Sequence, residues 1–172
     1  MEDLVKKAMK GDGQAFVELM ETYKQSMYKV ARSYLNNKED IADTIQDSIE
    51  ACYCGLPYLN KTEYFHTWLI RIVINKCKNT RRKQKREYLI EEFPENADIC
   101  VEFEQCEFEN LMQSLDEKYR TVLLLYYGEG FKIREIAQIL DMEESTVKSR
   151  LARGREKVKE VYEIPVIAAQ RR

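Results

Sequence analysis

Two apolar stripes at helical spacing, separated by three polar residues, constrain this chain more than any other feature. Between Phe131 and Glu160 (FKIREIAQILDMEESTVKSRLARGREKVKE), Ile133, Ile136, Ala137 and Leu140 recur as one face of a helix. Asp141, Met142 and Glu143 interrupt that face, and Val147, Leu151 and Val158 then begin a second. The pattern predicts a helix-turn-helix, a unit whose second helix can enter a DNA major groove. At about 100° per residue, Val147 and Leu151 mark the buried side of that helix. Ser145, Ser149, Ala152 and Arg153 then face away, with Lys148 and Arg150 on the flanks. Outward side chains of this kind reach base edges, and flanking cations reach phosphates. An ordinary helical hairpin with a solvated basic face has the same pattern, so the stretch alone leaves both readings open.

The rest of the chain favours helices too. Only 6 Gly and 3 Pro occur in 172 residues, too few for a turn-rich β-protein. With 44% hydrophobic and 34% charged residues the chain should fold and carry a highly charged surface. The expectation is an all-α protein of two small helical domains. Neither a long apolar run nor a signal-peptide pattern occurs, which predicts a cytoplasmic protein without membrane insertion. The 5 Cys are scattered, and Cys52 and Cys54, the one close pair, have no second pair or histidine cluster to complete a metal set. They read as structural thiols, and neither a metal nor a cofactor is expected.

A net charge of −2 looks wrong for a nucleic-acid binder. The charges are segregated, however. Lys76 to Arg86 holds seven Lys/Arg and no Asp/Glu, whereas Glu87 to Asn110 holds nine Asp/Glu and no Lys/Arg. The blocks cancel in the sum but not in space. The acidic block repels phosphate and weakens DNA binding by the free chain.

Periodicity divides the first domain, residues 1–86, into four helices: Glu2–Lys10, Gln14–Leu35, Lys38–Cys54, and Glu63 to about Lys85. Gly11-Asp12-Gly13, Asn36-Asn37 and a loop from Gly55 to Thr62 separate them. The third helix has Ile41, Ile45, Ile49 and Cys52 on its expected inner stripe, which turns Asp43, Gln46, Asp47 and Glu50 outward. That outward face is either simply solvated or a docking surface for a basic protein. In the fourth helix Phe65, Trp68, Leu69, Ile72 and Val73 are expected inward. Tyr64, Phe65, His66 and Trp68 precede Arg71, Asn75, Lys76, Lys78, Arg81 and Arg82. Aromatics beside a cationic track suit single-stranded or distorted DNA, although Phe65 and Trp68 could equally be core. An acidic linker, 87–107, leads to a second domain, 108–163. That domain restarts at Phe108–Leu115, continues as a helix over Tyr119–Tyr127 and ends in the helix-turn-helix. Residues 164–172 read as a frayed tail.

In this order the motifs resemble those of the extracytoplasmic-function (ECF) sigma factors, the small two-domain branch of the sigma-70 family. Lys10-Gly11-Asp12 with Ala15-Phe16 is similar to the family's opening helix pair. Asp40-Ile-Ala-Asp43-Thr-Ile-Gln46-Asp47 is similar to its core-polymerase motif. Phe65-His-Thr-Trp68-Leu69-Ile-Arg71-Ile72-Val-Ile-Asn75 resembles the helix facing the −10 element. Leu115 to Arg120, Gly130, Glu135-Ile136-Ala137 and Thr146-Val147-Lys148-Ser149-Arg150 resemble the −35 reader. Asp116 stands where the family often has proline, and the loop NKTEY lacks the small residues often found there.

The resemblance implies a promoter-specificity subunit of bacterial RNA polymerase, with domains of the sigma region 2 and region 4 type. Its implied partners are core polymerase, through the β′ clamp helices and the β flap, promoter DNA, and an anti-sigma factor. Asp43, Gln46 and Asp47 would meet the clamp helices, with Glu50 on the same face. The loop Leu59, Asn60, Lys61, Thr62 and Tyr64, together with Asn75, would hold an extruded −10 base. Such a capture needs amide donors and acceptors beside an aromatic or apolar wall. Phe65 and Trp68 would border that site, and Arg71, Lys76, Lys78, Arg81 and Arg82 would hold phosphates. Lys148, Ser149 and Arg153 would read the −35 element, with Thr146 and Arg150 on the backbone. The acidic linker would run through the polymerase cleft.

Two other functions compete. A stand-alone helix-turn-helix regulator would need a dimer to read paired half-sites and would have no use for the outward Asp43/Gln46/Asp47 face. An enzyme would need a catalytic set, and the single histidine, His66, has none around it in sequence. His66 reads instead as a surface or DNA-proximal side chain.

Overall fold

The computed structural model describes residues 1–88, 112 and 114–169, with side chains described for 1–85, 112 and 114–160. The chain divides into two compact units, Met1–Glu95 and Asn96–Arg172. All regular structure among the described residues is helical.

The first unit contains α1 (Glu2–Met9), α2 (Gly13–Tyr34), α3 (Lys38–Gly55) and α4 (Phe65–Tyr88). Between α1 and α2 the chain reverses at Gly11, whose φ of +92° lies in the region glycine enters at least cost. Asp12 then caps α2, its Oδ1 accepting from Ala15 N–H at 3.1 Å. Asn37 does the same for α3, accepting from Glu39 N–H at 2.7 Å and from Asp40 N–H at 3.4 Å. The Asn36-Asn37 break expected from sequence is therefore a helix cap. Such a cap satisfies N–H groups that the helix cannot bond internally. In the expected loop, Leu56–Tyr58 and Thr62–Tyr64 form two 3-10 turns, and the second leads into α4.

Two inward faces differ from expectation. On α3 the buried residues are Ile41, Thr44, Ser48 and Cys52, while Ile45 and Ile49 are half-buried. The apolar stripe is rotated away from the core because small hydroxyl residues occupy the tight contact with α4. On α4 the buried set is Phe65, Leu69, Ile70, Val73, Ile74 and Cys77, whereas Trp68 and Ile72 are half-buried. This helix packs against both α2 and α3, so its buried face is wider than a single stripe.

The second unit contains α5 (Glu117–Leu123), a π-helical turn (Leu124–Gly128), α6 (Ile133–Leu140) and α7 (Glu144–Ala169). The helix expected over Tyr119–Tyr127 thus loosens at its end. Glu129 N–H bonds back to Leu124 C=O at 3.0 Å, and Phe131 N–H to Leu125 C=O at 3.0 Å. Gly130, at φ +72°, turns the chain into α6. There Lys132 N–H donates to Glu135 Oε2 at 2.7 Å, fixing the first turn. Asp141 ends α6 in the left-handed region at φ 55°, a conformation Asp tolerates better than most residues. Tyr119, Val122, Leu125, Phe131, Ile136, Val147 and Leu151 form the buried centre. Helix α7 continues to Ala169 rather than ending near 163. Nearly all of the acidic linker and most of the expected Phe108–Leu115 segment lie outside the described residues.

Candidate nucleic-acid interface

Helix α4 carries Arg71, Asn75, Lys78 and Arg82 at spacings of four, three and four, so they form one stripe along its side. Arg71, Asn75, Arg81 and Arg82 are exposed, and Lys76 and Lys78 are half-buried. The preceding loop presents Asn60 and Lys61 to solvent, with Leu59 and Thr62 half-buried. Tyr64 is 46% exposed, and the Lys61 ammonium lies 5.6 Å from its ring centroid.

Of the two aromatics expected on the inner stripe, Phe65 is core and Trp68 is less buried. Phe65 is only 1% exposed, with Tyr23 and Trp68 at ring-centroid distances of 5.4 and 6.1 Å. It belongs to the core of the first unit and presents almost no surface to a ligand. Trp68 is half-buried and its ring lies over Gly55, where an added Cβ would meet Cζ2 at 2.9 Å. His66 is also half-buried, its Nε2 3.2 Å from Ser26 Oγ on α2 and its ring 4.8 Å from Tyr23. This histidine is built into the helix packing rather than free on the surface.

Asp43, Gln46, Asp47 and Glu50 are all exposed on α3. Half-buried Ile45 and Ile49 lie between this face and the buried stripe, so the acidic face has an apolar flank. A row of contacts joins α3 to antiparallel α4. Gln84 Nε2 donates to Asp40 Oδ2 at 2.7 Å, and the Thr44 and Thr80 hydroxyls are 3.0 Å apart. Lys76 Nζ lies 3.9 Å from Asp47 Oδ2. The acidic and cationic faces thus meet at Asp47–Lys76, a pairing that sequence order alone did not suggest.

On α7, Lys148, Ser149, Ala152 and Arg153 are exposed, and Thr146 and Arg150 are half-buried. Ser149 Oγ donates to Thr146 C=O at 2.9 Å, leaving its oxygen free to accept. Three further residues hold this helix in place. Gly154 is buried, and a Cβ there would stand 3.0 Å from Leu123 Cδ1 and 3.2 Å from Leu123 Cγ. Arg155 Nε donates to Tyr127 Oη at 2.7 Å, with the guanidinium 5.7 Å from the Tyr127 ring centroid. The glycine could have been read from sequence, since an isolated Gly inside a helical pattern signals close packing. The Arg155–Tyr127 pair left no local signal.

Burial pushes the Cys52 and Cys77 thiols up to about 12, while Cys54 is exposed. The two buried thiols pack as small apolar groups.

Comparison with known proteins identifies the family. The sigma-70 region 2 family matches residues 19–87, spanning most of α2, all of α3 and the loop, and nearly all of α4. The sigma-70 region 4 family matches residues 107–158, through the exposed face of α7. The ECF RNA polymerase sigma-E factor of Escherichia coli (strain K12) is 30% identical, over 90% of each chain. The chain belongs to the extracytoplasmic-function sigma factors. SigW, an ECF RNA polymerase sigma factor of Bacillus subtilis, is 29% identical over 88% of this sigma factor and 91% of its own length. Two solved structures share its fold. CnrH in complex with the cytosolic domain of CnrY has a TM-score of 0.72 at 23% identity, covering 95% of this chain and 97% of that one. The sigma factor RpoE with the anti-sigma factor NepR from Bartonella quintana has a TM-score of 0.77 at 21% identity, covering 87% and 97%. Among the described residues no helix is long and apolar enough to cross a membrane.

Proposed function

We propose that this sigma factor, a non-enzymatic transcription initiation factor, brings RNA polymerase to its promoters through three surfaces. The outward face of α3 (Asp43, Gln46, Asp47, Glu50) docks on the β′ clamp helices. The loop Leu59–Tyr64 and the α4 stripe hold the −10 element. The exposed face of α7, with Lys148, Ser149 and Arg153, reads the −35 element, while Thr146 and Arg150 meet its backbone. The second unit also engages the β flap. The observation that carries this reading is the pairing of an acidic face and a cationic–amide stripe on adjacent helices of one packed unit. A regulator acting without polymerase has no use for the first of these faces.

Opening of DNA then follows from differential binding. Asn75 offers both a donor and an acceptor, and the loop supplies a wall, so an extruded base gains contacts that a paired base cannot make. Arg71, Lys78, Arg81 and Arg82 neutralise phosphates and set the strand's register. Binding the open strand better than the duplex shifts the equilibrium towards opening without any catalytic group. An anti-sigma factor, the kind of partner seen with the RpoE relative, would act by covering these same faces in the cytoplasm.

Run-off transcription with core polymerase tests the reading, together with gel shifts with and without core enzyme. Promoter-specific transcripts and core-dependent binding are expected. Tight promoter binding by the chain alone, with no transcripts, would favour the stand-alone regulator.

A further inference from the structure

Tyr58 is 83% exposed, more than any other large apolar or aromatic side chain among the described residues. It does not sit on a loose loop tip. Leu56, two residues earlier, is 1% exposed and anchors the turn in the core. Pro57 restricts the backbone between them, and Leu59 N–H closes the turn onto Leu56 C=O at 3.1 Å. The second turn closes similarly, Tyr64 N–H donating to Lys61 C=O at 3.2 Å. The Tyr58 ring is thus held outwards on an ordered backbone, with no ring or hydrogen-bond partner among the described residues.

Its surroundings select the ligand. Asn60 and Lys61 follow it, and Lys61 lies over the Tyr64 ring at 5.6 Å. Exposed aromatics beside cations, leading into a cationic helix, match a strand that offers both π-faces and phosphates. Pro57 and Leu59 beside the ring are apolar, so it is continuity with the proposed −10 surface that favours a nucleic acid over a protein: the chain runs from Tyr58 through exposed Asn60 and Lys61 into the cationic stripe of α4. Three residues span at most about 11 Å of chain, which puts Tyr58 and Lys61 within reach of neighbouring nucleotides.

We propose that Tyr58 is a stacking platform for an unpaired base of the opened promoter strand, next to the base held by Asn75 and the loop. The proposal rests on the −10 role given above to α4 and its loop. Stacking is tolerant of base identity, so Tyr58 adds affinity for single-stranded DNA without changing which base is captured.

The test uses holoenzyme and a single-stranded oligonucleotide from the −10 region of a mapped promoter, intact or with one abasic site moved along it. Tyr58→Ala should weaken binding to the intact strand about five- to tenfold or more, the low end of aromatic–base stacking. Tyr58→Phe should stay within about twofold of wild type, because the face is kept. At one abasic position Tyr58→Ala should cause no further loss. Circular dichroism should be unchanged, since the side chain is 83% exposed. Wild-type affinity in Tyr58→Ala, an equal loss at every abasic position, or reduced affinity for core polymerase instead would each overturn the proposal. If wild-type holoenzyme fails to bind the intact strand, it is the underlying −10 reading that fails.

Discussion

Gly154→Ala is the most direct probe of how the exposed face of α7, the proposed −35 reader, is held. In an open helix interior the change stabilises by about 1 kcal/mol, through helix propensity. Position 154 is not open. The new Cβ would stand 3.0 Å from Leu123 Cδ1, 3.2 Å from Cγ and 3.5 Å from Cδ2. Rotating the methyl groups relieves the first contact but not the second, because Cγ is the branch point. Leu123 is itself 6% exposed and has little room to retreat. Overpacking of this kind costs about 1–3 kcal/mol. The expected net effect is a loss of about 1 kcal/mol, equivalent to about 4–8 °C for a domain of this size. Gly13→Ala supplies the opposite sign. Gly13 has negative φ and nothing within 4 Å of an added Cβ, so it should gain about 0.4–1 kcal/mol. Calorimetry of the full chain reads both, since each substitution labels the transition of its own unit. Binding of −35 DNA by holoenzyme should fall in Gly154→Ala as well, because Arg153 is the adjacent residue. A rise in melting temperature like that of Gly13→Ala, with unchanged DNA binding, would refute the argument that α5 and α7 are in closest contact here.

Three further outcomes are expected. Asp43→Arg with Asp47→Arg should abolish retention of core polymerase in a pull-down while leaving circular dichroism unchanged, since both side chains are exposed; normal retention would remove the docking role. Arg153→Ala should reduce discrimination between wild-type and mutated −35 DNA by about 1–3 kcal/mol if the contact is bidentate to guanine, and equal losses on both sequences would make it a phosphate contact. Cys54 should be alkylated rapidly at pH 8 while Cys52 and Cys77 resist. Their raised pKa, from about 9 to about 12, gives a stabilising contribution that is whole below pH 9 and lost as pH rises towards 12. Peptide mapping and alkaline unfolding check the two halves, and fast labelling of Cys77 in folded protein would contradict its burial.

Helix positions were largely legible in the sequence because their ends carry chemistry. Asp12 and Asn37 cap with their own side chains, and Gly11 and Gly130 turn the chain where glycine was expected to. Helix faces were less legible where packing, not hydropathy, decides. Ile45 and Ile49 outrank Thr44 and Ser48 on any hydrophobic scale, yet the hydroxyl residues are the buried ones. Residue size settles the matter, because only small side chains allow α3 and α4 to approach closely. Phe65 shows the same limit from the other side. Its place on the inner stripe reads as core while its position at the start of a cationic helix reads as a DNA contact, and the packing against Tyr23 on α2 decides for core. Within the candidate site, exposed charges were easy to find, whereas Tyr58 and the Arg155–Tyr127 pair depend on backbone geometry that periodicity does not encode.

The α3–α4 row of contacts explains why one small unit can carry two opposed surfaces. Each hydroxyl in it is satisfied locally: Ser48 Oγ bonds Thr44 C=O at 2.6 Å, Thr80 Oγ1 bonds Lys76 C=O at 3.2 Å, and Thr44 meets Thr80 at 3.0 Å. Polar groups that are fully partnered can be buried at little cost. Using them at this contact displaces Ile45 and Ile49 to the edge of the buried stripe, where they give the proposed docking surface an apolar flank beside its carboxylates. Such a mixture suits a protein partner better than a purely acidic face, since apolar contact slows dissociation while charge mainly steers approach. At the same contact, Asp47 lies against Lys76, so one carboxylate borders both the proposed polymerase side and the proposed DNA side. An exposed ion pair is worth at most about 1 kcal/mol, too little to lock either surface. It is enough, however, for a clamp-helix cation that takes Asp47 to leave Lys76 up to about fivefold more available to phosphate.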